Sequence, residues 1–236
     1  MRIDNTPFKF NSGDVEAVHF MDLLQKMPPD FVEKFEKNYI HGNRTLLMTS
    51  YGLESETGCK LIFRELQKLD IGELSKVKML CIEPPGYELD DIIKANAIKM
   101  GFNEENLLSV DGIPSCYPDI TYVGTGNPFE ILDYIKSEGF YDYLMDRFNY
   151  GLFPTFIGAS AGAMLFGSDL YLARDFEPHS NGMMDYSAFG FLDAAIIPHF
   201  TSKQLDEYLK TREKHVLNRY AKIYSIADDE ALVLKV

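Results

Sequence analysis

From Arg44 onward, short apolar runs alternate with longer segments in which apolar residues recur every three or four positions. The short runs predict strands at 45–52, 76–83, 106–112, 119–126 and 154–160, with a further apolar run at 194–200. The longer segments predict helices at 56–69, 88–102, 128–148 and 202–221, and another helix that begins after Ser160. The last fifteen residues, 222–236, predict two short strands around an acidic turn. Strands that alternate with helices are typical of βαβ units, so we predict an α/β protein with a mostly parallel sheet.

Two segments depart from this alternation. Residues 1–43 show only one short helical pattern, after Pro28 and Pro29, and we interpret them as an N-terminal extension. Residues 169–193 are rich in loop-forming residues. We therefore predict one α/β domain over 44–236, in which functional loops gather at the carboxyl ends of the strands.

Composition and charge narrow the class of protein. Of 236 residues, 46% are hydrophobic and 25% are charged, which is typical of a soluble globular protein. The net charge of -13 disfavours binding to nucleic acid or to anionic membranes. No run approaches the roughly 18 apolar residues that span a bilayer, and the N-terminus lacks a signal-peptide pattern. Three widely spaced cysteines predict reduced thiols, and we expect a cytoplasmic protein.

The sequence Gly-Ala-Ser-Ala-Gly at 158–162 carries the clearest chemical signal. It fits G-x-S-x-G, with a predicted strand before it and a predicted helix after it, as in a nucleophile elbow. Small neighbours are needed in such a turn because main chains come close together there. The N–H groups at the start of the following helix would stabilise an oxyanion. We therefore predict that Ser160 is a nucleophile, although a glycine-flanked serine also occurs in ordinary βα turns.

A serine nucleophile needs a base and a group that orients the base. His199 ends an apolar run and would reach the edge of the sheet, while His179 competes from a polar loop. The other three histidines lie in the extension or on an amphipathic helix: His19, His41 and His215. Four carboxylates lie between the serine and His199, and position alone does not choose among them: Asp175, Glu177, Asp185 and Asp193. The 39 residues from Ser160 to His199 are too few for an α/β-hydrolase fold.

Three segments in this order, YVGTGNPFEIL at 122–132, GASAGAMLFG at 158–167 and IIPHFTS at 196–202, resemble the dipeptidase E (aspartyl dipeptidase) family of serine peptidases. That family is related to cyanophycinase. The resemblance implies a class I glutamine amidotransferase-like fold, which is a three-layer αβα sandwich of the flavodoxin-like kind. It covers roughly residues 44–236. Thr125 and Pro128 in the glycine-rich turn, and Ala159 before the serine, depart from the family's usual residues.

The resemblance also implies roles for individual residues. Ser160 matches the nucleophile, His199 the base and Asp175 the acid, with Glu177 as the alternative acid. The main-chain N–H groups of Ala161 and Gly126 match the oxyanion hole.

The substrate that the resemblance implies is a dipeptide with an N-terminal aspartate. We predict three substrate-binding residues, of which Arg174 would meet the substrate's carboxylate. Asp229, in the acidic turn that also contains Asp228 and Glu230, would meet the α-ammonium group, and Asn127 lies in the glycine-rich turn.

The sequence therefore favours a serine peptidase that hydrolyses small peptides without a metal or cofactor. A homodimer is compatible with the sequence. Two alternatives stay open: a non-catalytic protein that binds a small ligand on the same fold, and a cyanophycinase-like hydrolase of β-aspartyl amides. The catalytic hypothesis predicts that the Ser160 hydroxyl reaches one nitrogen of His199 and that the other nitrogen lies near Asp175.

Overall fold

The computed structural model of the chain describes residues 44–69, 71–83, 90–109, 118–149, 155–178 and 185–236. The predicted extension, together with His179 and Cys116, lies outside the described residues. The strands are β1 (Thr45–Thr49), β2 (Met79–Ile82), β3 (Leu107–Leu108), β4 (Ile120–Val123), β5 (Thr155–Ala159), β6 (Ala194–Pro198), β7 (Lys222–Ile226) and β8 (Ala231–Lys235). The α-helices are α1 (Glu56–Leu66), α2 (Asp91–Met100), α3 (Pro128–Ser137), α4 (Phe140–Asn149), α5 (Ala161–Met164), α6 (Ser202–Lys210) and α7 (Lys214–Leu217).

Six of the described strands form a central sheet in the order β3-β2-β4-β5-β1-β8. Its internal pairings are parallel, and only the edge strand β8 runs antiparallel to β1. The remaining two strands, β6 and β7, pair in parallel as a separate small sheet. Every residue of β1, β2, β4, β5 and β6 is buried, which explains the unbroken apolar runs in the sequence.

Successive side chains along the central strands point to opposite faces of the sheet, where they pack into two separate hydrophobic cores. Leu46 and Met48 of β1 pack with helices α3, α4 and α5. Leu47, between them, packs on the opposite face with helices α1 and α2. A mostly parallel sheet with helices on both faces is the three-layer αβα arrangement, so the predicted fold class is confirmed.

The helices begin where the sequence provides caps. Asn127 caps α3 and is followed by Pro128 at the first helical position. Thr201 and Gln204 form a reciprocal capping box at the start of α6. None of the described helices is long and apolar enough to cross a membrane.

Two predicted helices are each divided in the structure, and the pairing of the two C-terminal strands is new information. The helical segment 128–148 is divided between α3 and α4 at Gly139, whose φ of 75° ends the first helix. The helix predicted over 202–221 is two helices, α6 and α7, with the turn at Thr211 between them. The two C-terminal strands flank an acidic turn as predicted, but β7 pairs with β6 whereas β8 pairs with β1.

Candidate active site

Ser160 occupies the sharp turn between β5 and α5, with backbone angles of φ 48° and ψ −108°. The flanking glycines have a steric reason. A Cβ on Gly162 would lie 2.1 Å from the Val123 carbonyl oxygen, and a Cβ on Gly158 would lie 2.8 Å from the backbone of Ala163. The positive φ of Ser160 is costly for a non-glycine residue, as expected for a nucleophile held in a strained elbow.

His199 follows directly after β6 and also has a positive φ, of 62°. Its Nε2 lies 3.2 Å from the Ser160 Oγ atom, within hydrogen-bond reach. The chain therefore brings together the two residues that the sequence predicts as nucleophile and base. Four-tenths of the His199 side chain is exposed, so the pair is accessible from solvent.

The other ring nitrogen of His199, Nδ1, lies 2.7 Å from Oδ1 of Asp228. The pairing of β6 with β7 explains this contact, because Pro198 is in register with Ile226 and the residues that follow the two strands emerge side by side. An ionised carboxylate only accepts hydrogen bonds, so Nδ1–H donates to Asp228. This tautomer leaves Nε2 free to accept the proton of Ser160.

The structure corrects the expectation for Asp175, which does not face His199. Asp175 ends a 3₁₀ turn, Leu172–Asp175, beside α6. Its Oδ2 accepts a 2.5 Å hydrogen bond from the Tyr208 hydroxyl and lies 3.3 Å from Nη2 of Arg212. The sequence places Asp175 between the serine and the histidine, but the parallel pairing of β6 and β7 brings a later acid, Asp228, to the imidazole.

Glu177, the alternative acid, lies just after the 3₁₀ turn Leu172–Asp175, and its N–H donates to the Ala173 carbonyl. Burial raises the pKa of its carboxyl group, and the electrostatic attraction of His199 partly opposes that rise. The short contact to Nδ1 of His199 belongs to Asp228.

The two predicted oxyanion-hole residues lie on adjacent strand ends. Ala161 is the first residue of α5, where N–H groups have no partner within the helix. Gly126 lies in the turn between β4 and α3 with a φ of 132°, a conformation open mainly to glycine. The Gly162 N–H donates to the Gly124 carbonyl at 3.1 Å, which ties this turn to the elbow. Since α5 has only four residues, its contribution comes from individual N–H groups.

The three predicted substrate-binding residues have differing surroundings. Asn127 caps α3 through its Oδ1, and its Nδ2 donates to the Pro178 carbonyl at 2.7 Å. Arg174 stacks its guanidinium between the rings of Tyr171 and Tyr186, 4.9 and 5.2 Å from their centroids. Asp229 is exposed in the same turn as Asp228.

Two further acids, Glu54 and Glu83, lie at the carboxyl edge of the central sheet. Burial raises the pKa of Glu83 to about 7, with smaller contributions from the charges of Asp90 and Glu54.

The described residues contain no group of three or more His, Cys, Asp or Glu side chains that could hold a metal ion.

A parallel α/β sheet that carries a serine in a strained strand-to-helix turn, with a histidine on its hydroxyl, defines a hydrolase of the nucleophile-elbow type. The family model of peptidase family S51 matches residues 111–235, more than half of the chain. The chain belongs to this family and is a serine-type peptidase, and its resemblance to dipeptidase E is confirmed.

Solved structures show the same fold. A putative peptidase E protein from Listeria monocytogenes EGD-e is 17% identical, with a TM-score of 0.54 over 82% of this chain and 98% of that one. A peptidase from an acI-B1 Actinobacterium is 16% identical, with a TM-score of 0.53 over 84% of this chain and 86% of that one. A search of curated proteins finds no significant match.

Proposed function

We propose that the chain is a peptidase of the dipeptidase E type that hydrolyses small peptides through Ser160, His199 and Asp228. The observation that carries this proposal is the continuous chain of contacts from hydroxyl to imidazole to carboxylate, at 3.2 and 2.7 Å. Each distance lies within or close to the range expected of a catalytic triad in the absence of substrate.

In the proposed reaction, the Ser160 oxygen attacks the scissile carbonyl carbon while its proton moves to Nε2 of His199. Asp228 holds the imidazole in the tautomer that accepts this proton and stabilises the imidazolium that forms. His199 then gives the proton to the leaving amine, and an acyl-enzyme remains on Ser160. A water molecule, deprotonated by His199, releases the acyl group as a carboxylic acid and restores the serine.

The N–H groups of Ala161 and Gly126 are the proposed donors to the tetrahedral oxyanion. The link between Gly162 and Gly124 supports this assignment, because it holds the two turns against each other. Donors that are fixed before the reaction stabilise the developing charge without reorganising during it.

For the substrate, we propose small peptides. Peptides with an N-terminal aspartate are the first candidates, because the Listeria neighbour is named as a putative peptidase E. Arg174 gives this preference little support, since its guanidinium is stacked on two tyrosine rings. The exposed acids at 228–230 are better suited to an ammonium group, although Asp228 is already engaged with His199.

The experiment is a dipeptide panel that includes Asp-X amides, run on wild type, Ser160→Ala and Ser137→Ala. Ser137 is a suitable control because its hydroxyl is exposed and, within the described part of the chain, donates to a carbonyl of its own helix. We expect turnover by wild type and Ser137→Ala, and at least a ~1000-fold lower rate for Ser160→Ala. A fluorophosphonate probe should label wild type but not Ser160→Ala, as measured by intact mass. No turnover across the panel and no labelling would instead favour a ligand-binding protein on this fold.

A further inference from the structure

The catalytic residues proposed above come from two different sheets, which raises a positioning problem. Ser160 follows β5 in the central sheet, whereas His199 and Asp228 follow β6 and β7 in the two-stranded sheet. The strand ladders described here hold each sheet internally but do not join the two. Something else must fix the imidazole relative to the hydroxyl, because a displacement of about 1 Å in a catalytic group costs on the order of 100-fold in rate.

Ser50, which follows the last residue of β1, lies where the two sheets meet and is fully buried. Its Oγ donates to the Ile226 carbonyl at 2.7 Å, with the Ala227 carbonyl also within 3.3 Å. The same Oγ accepts a hydrogen bond from the His199 N–H at 2.9 Å. One hydroxyl of the central sheet thus bonds to both strand ends of the small sheet.

The backbone of Ser160 is bonded to Thr49, the last residue of β1, which directly precedes Ser50. The Ser160 N–H donates to the Thr49 carbonyl at 2.8 Å. The backbones of Ser160 and His199 therefore both bond to the end of β1, at the consecutive residues 49 and 50. These two bonds connect the backbone of the nucleophile and the backbone of the base through adjacent residues.

The backbone of His199 needs such an anchor. Its φ of 62° is sparsely populated by non-glycine residues and persists only where surrounding contacts enforce it. The bond from its N–H to Ser50 is one such contact. Another is the bond from the Phe200 N–H to the Ile226 carbonyl at 3.2 Å, the same carbonyl that Ser50 binds.

The next residue, Tyr51, contacts the side chains of the pair. Its ring meets the His199 ring edge-on, with centroids 5.1 Å apart. Its hydroxyl lies 3.4 Å from Oδ2 of Asp228, the oxygen that His199 does not use. Ser50 thus holds backbone while Tyr51 contacts the imidazole and carboxylate.

Resting on the proposed function, we propose that Ser50 is a positioning residue that aligns His199 with Ser160 across the junction of the two sheets, with Tyr51 as its auxiliary. Ser50 touches no reacting atom. It acts through the backbone of the base, so its loss lowers the rate of the chemical step and leaves substrate binding largely intact.

The test compares Ser50→Ala and Tyr51→Phe with Thr121→Val. Thr121 is a matched control, since it is fully buried in β4 and its hydroxyl has no hydrogen-bond partner among the described residues. We expect Ser50→Ala to lower kcat by about 10- to 100-fold with KM within about twofold. Tyr51→Phe should lower kcat less, and Thr121→Val should leave both constants unchanged. Wild-type kcat in Ser50→Ala, or a change confined to KM, would overturn the proposal.

A second readout separates this proposal from the proposed function. The Nδ1 proton of His199, bonded to Asp228, should give a downfield proton NMR signal that disappears in His199→Gln. We expect the signal to weaken or shift in Ser50→Ala and to persist in Thr121→Val, whether or not any peptide is hydrolysed. An unchanged signal in Ser50→Ala would overturn the positioning role. If Ser50→Ala does not fold, Ser50→Cys, with its weaker donor and acceptor, should give an intermediate loss of kcat, and full activity there would also count against the proposal.

Discussion

The central sheet and the two-stranded sheet hold their functional residues in different ways. Ser160 on the central sheet is fixed by backbone, through a strained turn, two crowded glycines and a main-chain bond to Thr49. His199 and Asp228, which follow the strands of the small sheet, depend on two bonds that involve side chains: Ser50 Oγ accepts from the His199 N–H, and Asp228 pairs with the imidazole. The side chains of His199 and Asp228 are 40% and 53% exposed. The nucleophile is therefore sensitive to added atoms, whereas the base and acid are sensitive to lost hydrogen bonds.

The largest expected effect is on the acid of the small sheet. Asp228→Asn should lower kcat/KM about a thousandfold, because an amide in place of the carboxylate favours the wrong imidazole tautomer. Thermal melting should show that the fold is retained, since Asp228 is exposed. Asp175→Asn is the matched control, and we expect less than a threefold change in rate. Its cost is in stability, about 1–2 kcal/mol for a weakened bond with Tyr208. The reverse result, a slow Asp175→Asn and an unaffected Asp228→Asn, would assign the orienting role to Asp175.

The elbow of the central sheet should respond to a single methyl group. In Gly162→Ala the new Cβ meets the Val123 carbonyl, whose position is set by β4, and relief requires backbone movement. We expect a loss of about 3 kcal/mol in the free energy of unfolding. Gly72→Ala provides the comparison, because Gly72 has a positive φ, of 82°, and open space around its Cβ position, whereas Gly162 lies within helix α5 and is crowded. Its expected loss is only about 1 kcal/mol. If the loss for Gly162→Ala in urea denaturation is no larger than that for Gly72→Ala, the neighbouring backbone relieves the crowding at 162 by small shifts.

Strain at the base is the next test of the small sheet. Because His199 has a left-handed backbone, His199→Gly should be more stable than His199→Ala by about 1 kcal/mol, although both lack the base. His215, exposed on helix α7, gives the opposite expectation. There, Gly should be less stable than Ala by about 1 kcal/mol, because glycine is a poor helix former. Free energies from denaturant titration measure both pairs, and the same sign at both positions would contradict strain at His199.

The two sheets also differ in how far the sequence predicts them. The elbow is readable because its chemistry is local: glycines two positions from Ser160, a strand before and a helix after. His199 is readable as a histidine at the end of an apolar run. For Asp228, the sequence indicates only membership of an acidic turn suited to an ammonium group, because its contact with His199 depends on β7 pairing with β6, which no local pattern encodes.

The contacts of Asp175 and Ser50 were equally hard to predict, because they too join segments that are far apart in the sequence. Asp175 has a suitable position along the chain, yet Tyr208 and Arg212 of a later segment engage its carboxylate. Ser50 gave no signal, since a serine after a strand is common. The feature to seek is a pair of parallel strands followed by a histidine and an acid. In this sequence the acid comes two residues after a short strand near the C-terminus.

The smallest expected effect is a pH-dependent change in stability from Glu83, at the carboxyl end of a central-sheet strand. Glu83, at the end of β2, has a pKa of about 7 in the folded chain, above its usual 4.5, chiefly because of burial. The folded state therefore holds this proton more tightly than the unfolded state. The stability that protonated Glu83 contributes is fully present below about pH 4.5 and is lost as the pH rises through about 7. Glu83→Gln removes this dependence, so its melting temperature should exceed that of wild type by a few degrees at pH 8 and match it near pH 4. Glu56→Gln, at a fully exposed acid paired with Lys60, should show no such gain at high pH. A difference between wild type and Glu83→Gln that stays constant from pH 4 to pH 8 would mean that Glu83 does not titrate in this window, and that burial at the central sheet's edge costs less than its surroundings indicate.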